Sequence, residues 1–96
     1  MRFLVTHVLE PGFTKDKAIE IAKLTQTDPD VKGYRSFLSP TAGKGICIFD
    51  APDKDRLVKW LDEHKLAYET IWPVELESDR GEFIDLPVVA TVDVPT

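Results

Sequence analysis

The sequence predicts an α+β fold in which two helices cover one face of a four-stranded antiparallel sheet. Short β-prone segments alternate with two stretches of helical periodicity, in the order strand, helix, strand, strand, helix, strand. Turn-forming residues separate these segments at Pro11-Gly12 and from Ser39 to Gly45. The 96 residues and the 43% hydrophobic content are typical of one globular domain with one core.

The first half of the chain has the pattern of a strand, a helix and a second strand. Residues Phe3 to Leu9 are rich in Val, Leu and Thr and predict the first strand. Thr14 is a good N-cap, and apolar residues at helical spacing predict a helix over residues 15–26. Val31 to Ser39 predicts the second strand, in which Gly33 marks a candidate β-bulge.

The second half repeats this pattern. Ile46 to Phe49 predicts a third strand that is apolar on both faces. A second helix follows, with Asp50 or Ala51 expected as its cap. Tyr68 to Leu76 alternates as a fourth strand, and Pro73 favours an edge position for it. The stripe predicted to be buried on the second helix comprises Leu57, Val58 and Leu61, with Trp60 beside it.

Two right-handed βαβ units give the strand order 4-1-3-2, which is the ferredoxin-like arrangement. Residues 1–76 are predicted to form this domain. Residues 77–96 form a C-terminal extension with a β-prone run from Val88 to Val94, expected to pack on its own sheet or on that of a partner. Because the first and third strands are apolar on both faces, the sheet face opposite the helices needs a cover. A second copy is the simplest cover, so we expect a homodimer, a dimeric α/β barrel with a cavity between two sheets.

Charge and composition exclude several partners. The formal net charge is −5 and the basic residues are dispersed, so no nucleic-acid partner is expected. No apolar stretch is long enough to span a membrane, and the N-terminal residues turn polar too early for a signal peptide, which predicts a cytoplasmic protein without membrane partners. The single cysteine, Cys47, can act only as a thiol.

One segment carries a family resemblance. The run from Cys47 to Asp55, Cys-Ile-Phe-Asp-Ala-Pro-Asp-Lys-Asp, resembles a small bacterial ferredoxin-like family of unknown function that includes a nickel-binding protein and belongs to the dimeric α/β-barrel superfamily. Arg35-Ser36-Phe37 and Leu9-Glu10-Pro11-Gly12 resemble the second strand and the end of the first strand of that family. The resemblance covers about residues 3 to 76 and implies a divalent metal, nickel, as a cofactor.

The candidate site residues are few. His7 and Cys47 lie on strands that are neighbours in the predicted order, and imidazole beside thiol is a plausible metal-ligating or acid–base pair, although a structural role for each is the simpler interpretation. His64 is expected at an exposed helix end. Aromatic walls with one fixed cation suit a small organic anion. The predicted ligand-binding residues are His7, Tyr34, Arg35, Trp60 and Trp72.

Three functions fit this architecture. The first is a small dimeric ligand-binding protein whose inter-sheet cavity holds a small molecule or a divalent metal. The second is a cofactor-independent isomerase or monooxygenase of the dimeric α/β-barrel type, with His7 as its acid–base group. The third is a metabolite-sensing domain. The fold alone does not choose among them.

Overall fold

The computed structural model describes residues 1–86 and is an α+β structure with two helices, a four-stranded antiparallel sheet and a second sheet of two strands. The large sheet has the strand order β2-β3-β1-β4, as predicted, and β4 lies at an edge. In chain order the elements are β1 (Arg2–Val8), α1 (Lys15–Leu24), β2 (Lys32–Ser39), β3 (Lys44–Asp50), α2 (Lys54–Glu63), β4 (Thr70–Pro73), β5 (Leu76–Asp79) and β6 (Glu82–Asp85).

Side-chain caps begin both helices. Thr14 Oγ1 accepts a hydrogen bond from the Lys17 amide at 3.2 Å, which confirms the predicted cap of α1. The cap of α2 is Asp53, not Asp50 or Ala51, because Asp50 is still part of β3 and its carboxylate binds Arg2.

No helix in the described part of the chain is long and apolar enough to cross a membrane.

The core lies between the helices and one face of the large sheet. Leu57, Trp60 and Leu61 recur at the spacing of one helix face and are fully buried, so this part of the predicted stripe of α2 is confirmed, whereas Val58 is half-buried. They pack in one cluster with the sheet residues Phe3, Val5 and Phe49 and with Val31 and Ala51. Leu24, at the end of α1, packs against the same cluster.

A bulge interrupts the pairing of β2 with β3 close to the predicted position. Gly33 lies opposite Phe49 but Arg35 lies opposite Ile48, so Tyr34 is the extra residue. Gly33 is required because α1 ends against it: a Cβ at this position would lie 2.5 Å from the Thr25 hydroxyl oxygen. The bulge also reverses the facing of every residue after it, which places Arg35 and Phe37 on the sheet face away from the core.

The chain after β4 differs from the prediction. The expected strand over residues 68–76 is shorter, since pairing with β1 ends at Pro73 and Leu76 begins a separate hairpin with β6. Arg80 and Gly81, with φ of 54° and 87°, form its two-residue turn, as in a type I′ hairpin. The predicted strand from Val88 to Val94 lies outside the described residues.

Candidate functional site

The sheet pairing divides the side chains of the large sheet into two faces. Phe3, Val5 and Phe49 point to the helices. The residues between them point the other way, to a second face that neither α1 nor α2 covers and that we call the open face. At its Arg2 end it is contacted by Glu77 of β5. Its exposed fractions are high for apolar side chains, at 56% for Phe37 and 48% for Trp72. Besides polar residues at its two ends, among them Arg2 and Lys44, the open face includes Leu4, Thr6, Tyr34, Arg35, Phe37, Ile46, Ile48 and Trp72.

One row of residues crosses the open face from edge to edge. Arg35 is opposite Ile48, Ile48 is opposite Leu4, and Leu4 is opposite Trp72. Neighbouring strands are about 4.8 Å apart, so about 14 Å separates the two ends of this central row. A cation therefore stands at one end, an indole at the other, and two aliphatic side chains form the floor between them.

Tyr34 connects the central row to a charged cluster at the end of the sheet. The Arg2 guanidinium lies 3.8 Å from the centre of the Tyr34 ring, and the Arg35 guanidinium lies 5.5 Å from it. Arg2 also donates to Asp50 Oδ1 at 2.8 Å and to Glu77 Oε1 at 2.7 Å. The hydrogen bond with Asp50 is the main reason that the pKa of Arg2 is raised above its ordinary value. Two carboxylates thus neutralise Arg2.

Arg35 has a different electrostatic environment. It forms no ion pair with the residues of the described range, and its cation lies beside the half-exposed Tyr34 ring. Lys44, at the start of β3 and two rows away, has the same facing, as do Arg2 and Lys32, whose ammonium donates to the Gln26 carbonyl. Arg35 is therefore the cation of the central row that is available to an anion from outside the fold.

His7 and Cys47 share a face, but it is the face covered by the helices. Cys47 is opposite Val5, and His7 follows Val5 by two residues. His7 Nδ1 lies 2.7 Å from the Ala67 carbonyl, and the Ser36 hydroxyl donates to Cys47 Sγ at 3.4 Å. Burial raises the pKa of the Cys47 thiol, and the Ser36 hydrogen bond offsets part of that effect. An acid–base role for His7 in an inter-sheet cavity does not fit this placement.

Trp60 and His64 belong to the helix layer. Trp60 is fully buried, with its ring centre 5.5 Å from that of Phe49 and 4.5 Å from that of His64. Trp60, which the sequence suggests as a residue that lines a ligand pocket, is a core residue in the structure, because its helical spacing from Leu57 turns it inward. His64 caps the end of α2, where its Nδ1 lies 2.9 Å from the Trp60 carbonyl. This agrees with its expected place at a helix end, but the side chain is half-buried and not exposed.

Residues 1–86 do not bring together the ligands of a nickel site. Among residues 1–86, no three His, Cys, Asp or Glu side chains come together as a metal would require. Cys47 must lose its proton to ligate a metal, and burial opposes that ionisation. Comparisons with protein-family models, curated proteins and solved structures find no match for the chain. The family resemblance and its metal stay predictions.

Three predicted ligand-binding residues therefore share the open face, namely Tyr34, Arg35 and Trp72. Sequence reasoning missed the aliphatic floor of Leu4 and Ile48, although alternation from a buried neighbour on each strand would have indicated it. Arg2 and Glu77, which hold Tyr34 in place, are far apart in sequence, and no local pattern links them. A surface depression of about 380 Å³ lies elsewhere, beside the end of α2.

Proposed function

We propose that the protein is a homodimer of ferredoxin-like domains that binds a small aromatic or branched carboxylate between the two open faces. One observation carries the proposal: the central row combines Arg35, a cation with no ion pair among residues 1–86, with an apolar floor and the exposed indole of Trp72. An apolar site with few polar groups is the usual composition of a small-molecule pocket.

The dimer follows from the same surface. A flat sheet face cannot enclose a ligand, because binding sites bury most of the surface of the molecule they hold. Phe37, Ile46 and Trp72 also leave apolar area in contact with water, and burying it against a second open face is favourable. An isologous pair of such faces forms a cavity with one Arg35 from each subunit.

The carboxylate follows from Arg35. A guanidinium binds a carboxylate through two parallel hydrogen bonds, and this pair is stronger when water is excluded. Arg2 is unsuitable for this role, since Asp50 and Glu77 already occupy its donors. The aliphatic floor of Leu4 and Ile48 then contacts the body of the ligand, and Tyr34 or Trp72 contacts its ring.

Calorimetric titration with 1-naphthoate and its neutral analogue 1-naphthamide tests the proposal. The wild type should bind the anion more tightly than the amide. Arg35→Gln should weaken naphthoate binding by about 10- to 100-fold, since a hydrogen bond to a charged group contributes about 1.5–3 kcal/mol. Naphthamide binding should change little.

Lys44→Gln is the matched control, because it removes the same charge from the same face outside the central row. It should leave the affinity for naphthoate within about twofold of the wild type, a difference of about 0.4 kcal/mol. Equal affinities of wild type and Arg35→Gln for naphthoate, or equal losses in the Arg35 and Lys44 variants, would contradict the proposed site.

A further inference from the structure

The hairpin of β5 and β6 has two unlike faces. Glu77 turns inward: its carboxylate accepts from Arg2 at 2.7 Å and from the Tyr34 hydroxyl at 3.3 Å. Strand alternation puts Leu76 on the opposite side of the hairpin, and the pairing of Ser78 with Phe83 puts Phe83 beside it. These two apolar side chains therefore face away from the domain to which they are attached.

Phe83 and Leu76 are the two most exposed large apolar side chains among the described residues. Phe83 is 72% exposed and Leu76 is 61% exposed. The hairpin around them is acidic, with five carboxylates and one arginine between residues 75 and 86, which accounts for most of the net charge of −5. A charged hairpin that nevertheless presents a phenylalanine and a leucine to water has the composition of an interface with a charged rim.

The area of the open face also indicates that a stable dimer needs a second contact surface. The strands β1 to β4 have seven, eight, seven and four residues. At about 3.3 Å per residue and about 4.8 Å between strands, they give the open face a footprint of about 410 Å². A stable interface of standard size buries about 800 Å² on each partner. Sheet-to-sheet contact alone supplies roughly half of that area, so a lasting dimer needs a further apolar surface.

We infer that the β5–β6 hairpin of each subunit packs its Leu76 and Phe83 side chains on the second subunit and thereby closes one end of the inter-sheet cavity. The inference rests on the proposed homodimer. Glu77 fixes the root of the hairpin to the Arg2 end of the open face, which is the rim where two such faces meet. The partner therefore contributes residues to each ligand site, and the site is incomplete in one subunit.

Photocrosslinking of the full chain tests the inference. Phe83→p-benzoylphenylalanine is prepared in light and ¹⁵N-labelled forms, which are mixed, dissociated and reassociated before irradiation. We expect crosslinked peptides that join one light and one heavy chain and that map to the open-face strands, residues 34–48. The control places the same photoreactive group at Ile19, an exposed apolar residue on α1, and should give no such mixed peptides.

Dissociation constants complete the test. Phe83→Ala should raise the dimer dissociation constant by at least about tenfold, because its ring is lost from both copies of the interface. Crosslinks confined to one chain, or an unchanged dissociation constant for Phe83→Ala while Phe37→Ala weakens the dimer, would overturn the role of the hairpin and leave the proposed dimer standing. A wild-type chain that stays monomeric would overturn the proposed dimer itself.

Discussion

Phe37→Ala measures how much the open face contributes to dimerisation. Full burial of a phenylalanine is worth about 1.5–3 kcal/mol. The structure leaves 56% of Phe37 exposed, so about 0.8–1.7 kcal/mol remains to be gained by association. An isologous interface contains the residue twice, which doubles the value to about 1.7–3.4 kcal/mol. The dimer dissociation constant should therefore rise about 20- to 300-fold.

Sedimentation equilibrium over a concentration series measures the dimer dissociation constants of the wild type and of Phe37→Ala. Ile19→Ala is the control, since Ile19 is 41% exposed but lies on α1, on the helix side of the sheet. It should leave the dissociation constant unchanged. The thermal midpoint of Phe37→Ala should fall modestly even at concentrations where both proteins are monomeric, because part of the side chain is already buried in one subunit. A dissociation constant within about twofold of wild type, a difference of about 0.4 kcal/mol, would refute the open face as the dimer interface.

Three further predictions concern the fold around the site. Gly33→Ala should destabilise the protein by about 1–3 kcal/mol in urea unfolding, because the added methyl meets the Thr25 side chain at 2.5 Å. Cys47 should react with iodoacetamide at pH 8 at least about tenfold more slowly in the folded than in the denatured protein, because burial raises its pKa and limits access. Asp28→Asn should lower stability at neutral pH, and the difference from wild type should shrink as the pH falls from about 4 towards 2.

The sign of the Asp28 effect follows from its bonds. The Asp30 amide donates to its carboxylate at 2.8 Å, Arg56 donates to both oxygens at 2.8 Å, and the pKa falls from 3.8 to about 2. A carboxylate whose pKa is lower in the folded than in the unfolded protein stabilises the fold at pH values above its unfolded-state pKa. This stabilisation is lost as the pH falls through the folded-state pKa. A constant difference between the two proteins from pH 7 to pH 2 would contradict this.

The predictions for Gly33→Ala and for Cys47 can each be contradicted by a simple result. Ser36→Ala, on the same strand as Gly33, fills no occupied space and should cost less than Gly33→Ala. A smaller loss in Gly33→Ala than in Ser36→Ala would show that Thr25 moves aside. Rapid alkylation of folded Cys47, at a rate near that of the denatured chain, would show that the thiol is reactive and would reopen a chemical role for it.

Local patterns were sufficient for the elements that short-range forces define. Alternation and turn residues located the strands, and the Thr14 cap located α1, because these signals act within a few residues. The Asp53 cap was missed because Pro52 and the neighbouring acidic residues make several caps equally plausible. The division of the expected fourth strand into β4 and β5 was missed because alternation continues through Pro73 although its pairing with β1 stops there.

The facing of individual side chains was harder to predict. His7 and Cys47 were expected to share a face, and they do, but whether that face was covered by helices depended on the packing of Leu57 and Trp60 against it. Arg35 would have pointed to the helices without the bulge at Tyr34. A shift of one residue in register is invisible in composition and reverses every later side chain.

The sequence by itself determined the order of elements, the sheet topology and the existence of a second apolar sheet face. These depend on hydrophobic periodicity and on short connections, which can be read along the chain. Only the tertiary structure decided which residues share that face. The central row from Arg35 to Trp72 takes one residue from each of four strands and depends on one bulge. The ion pair of Arg2 with Glu77 joins residues from opposite ends of the described chain. Such long-range contacts are set by register and packing, for which no local signal exists.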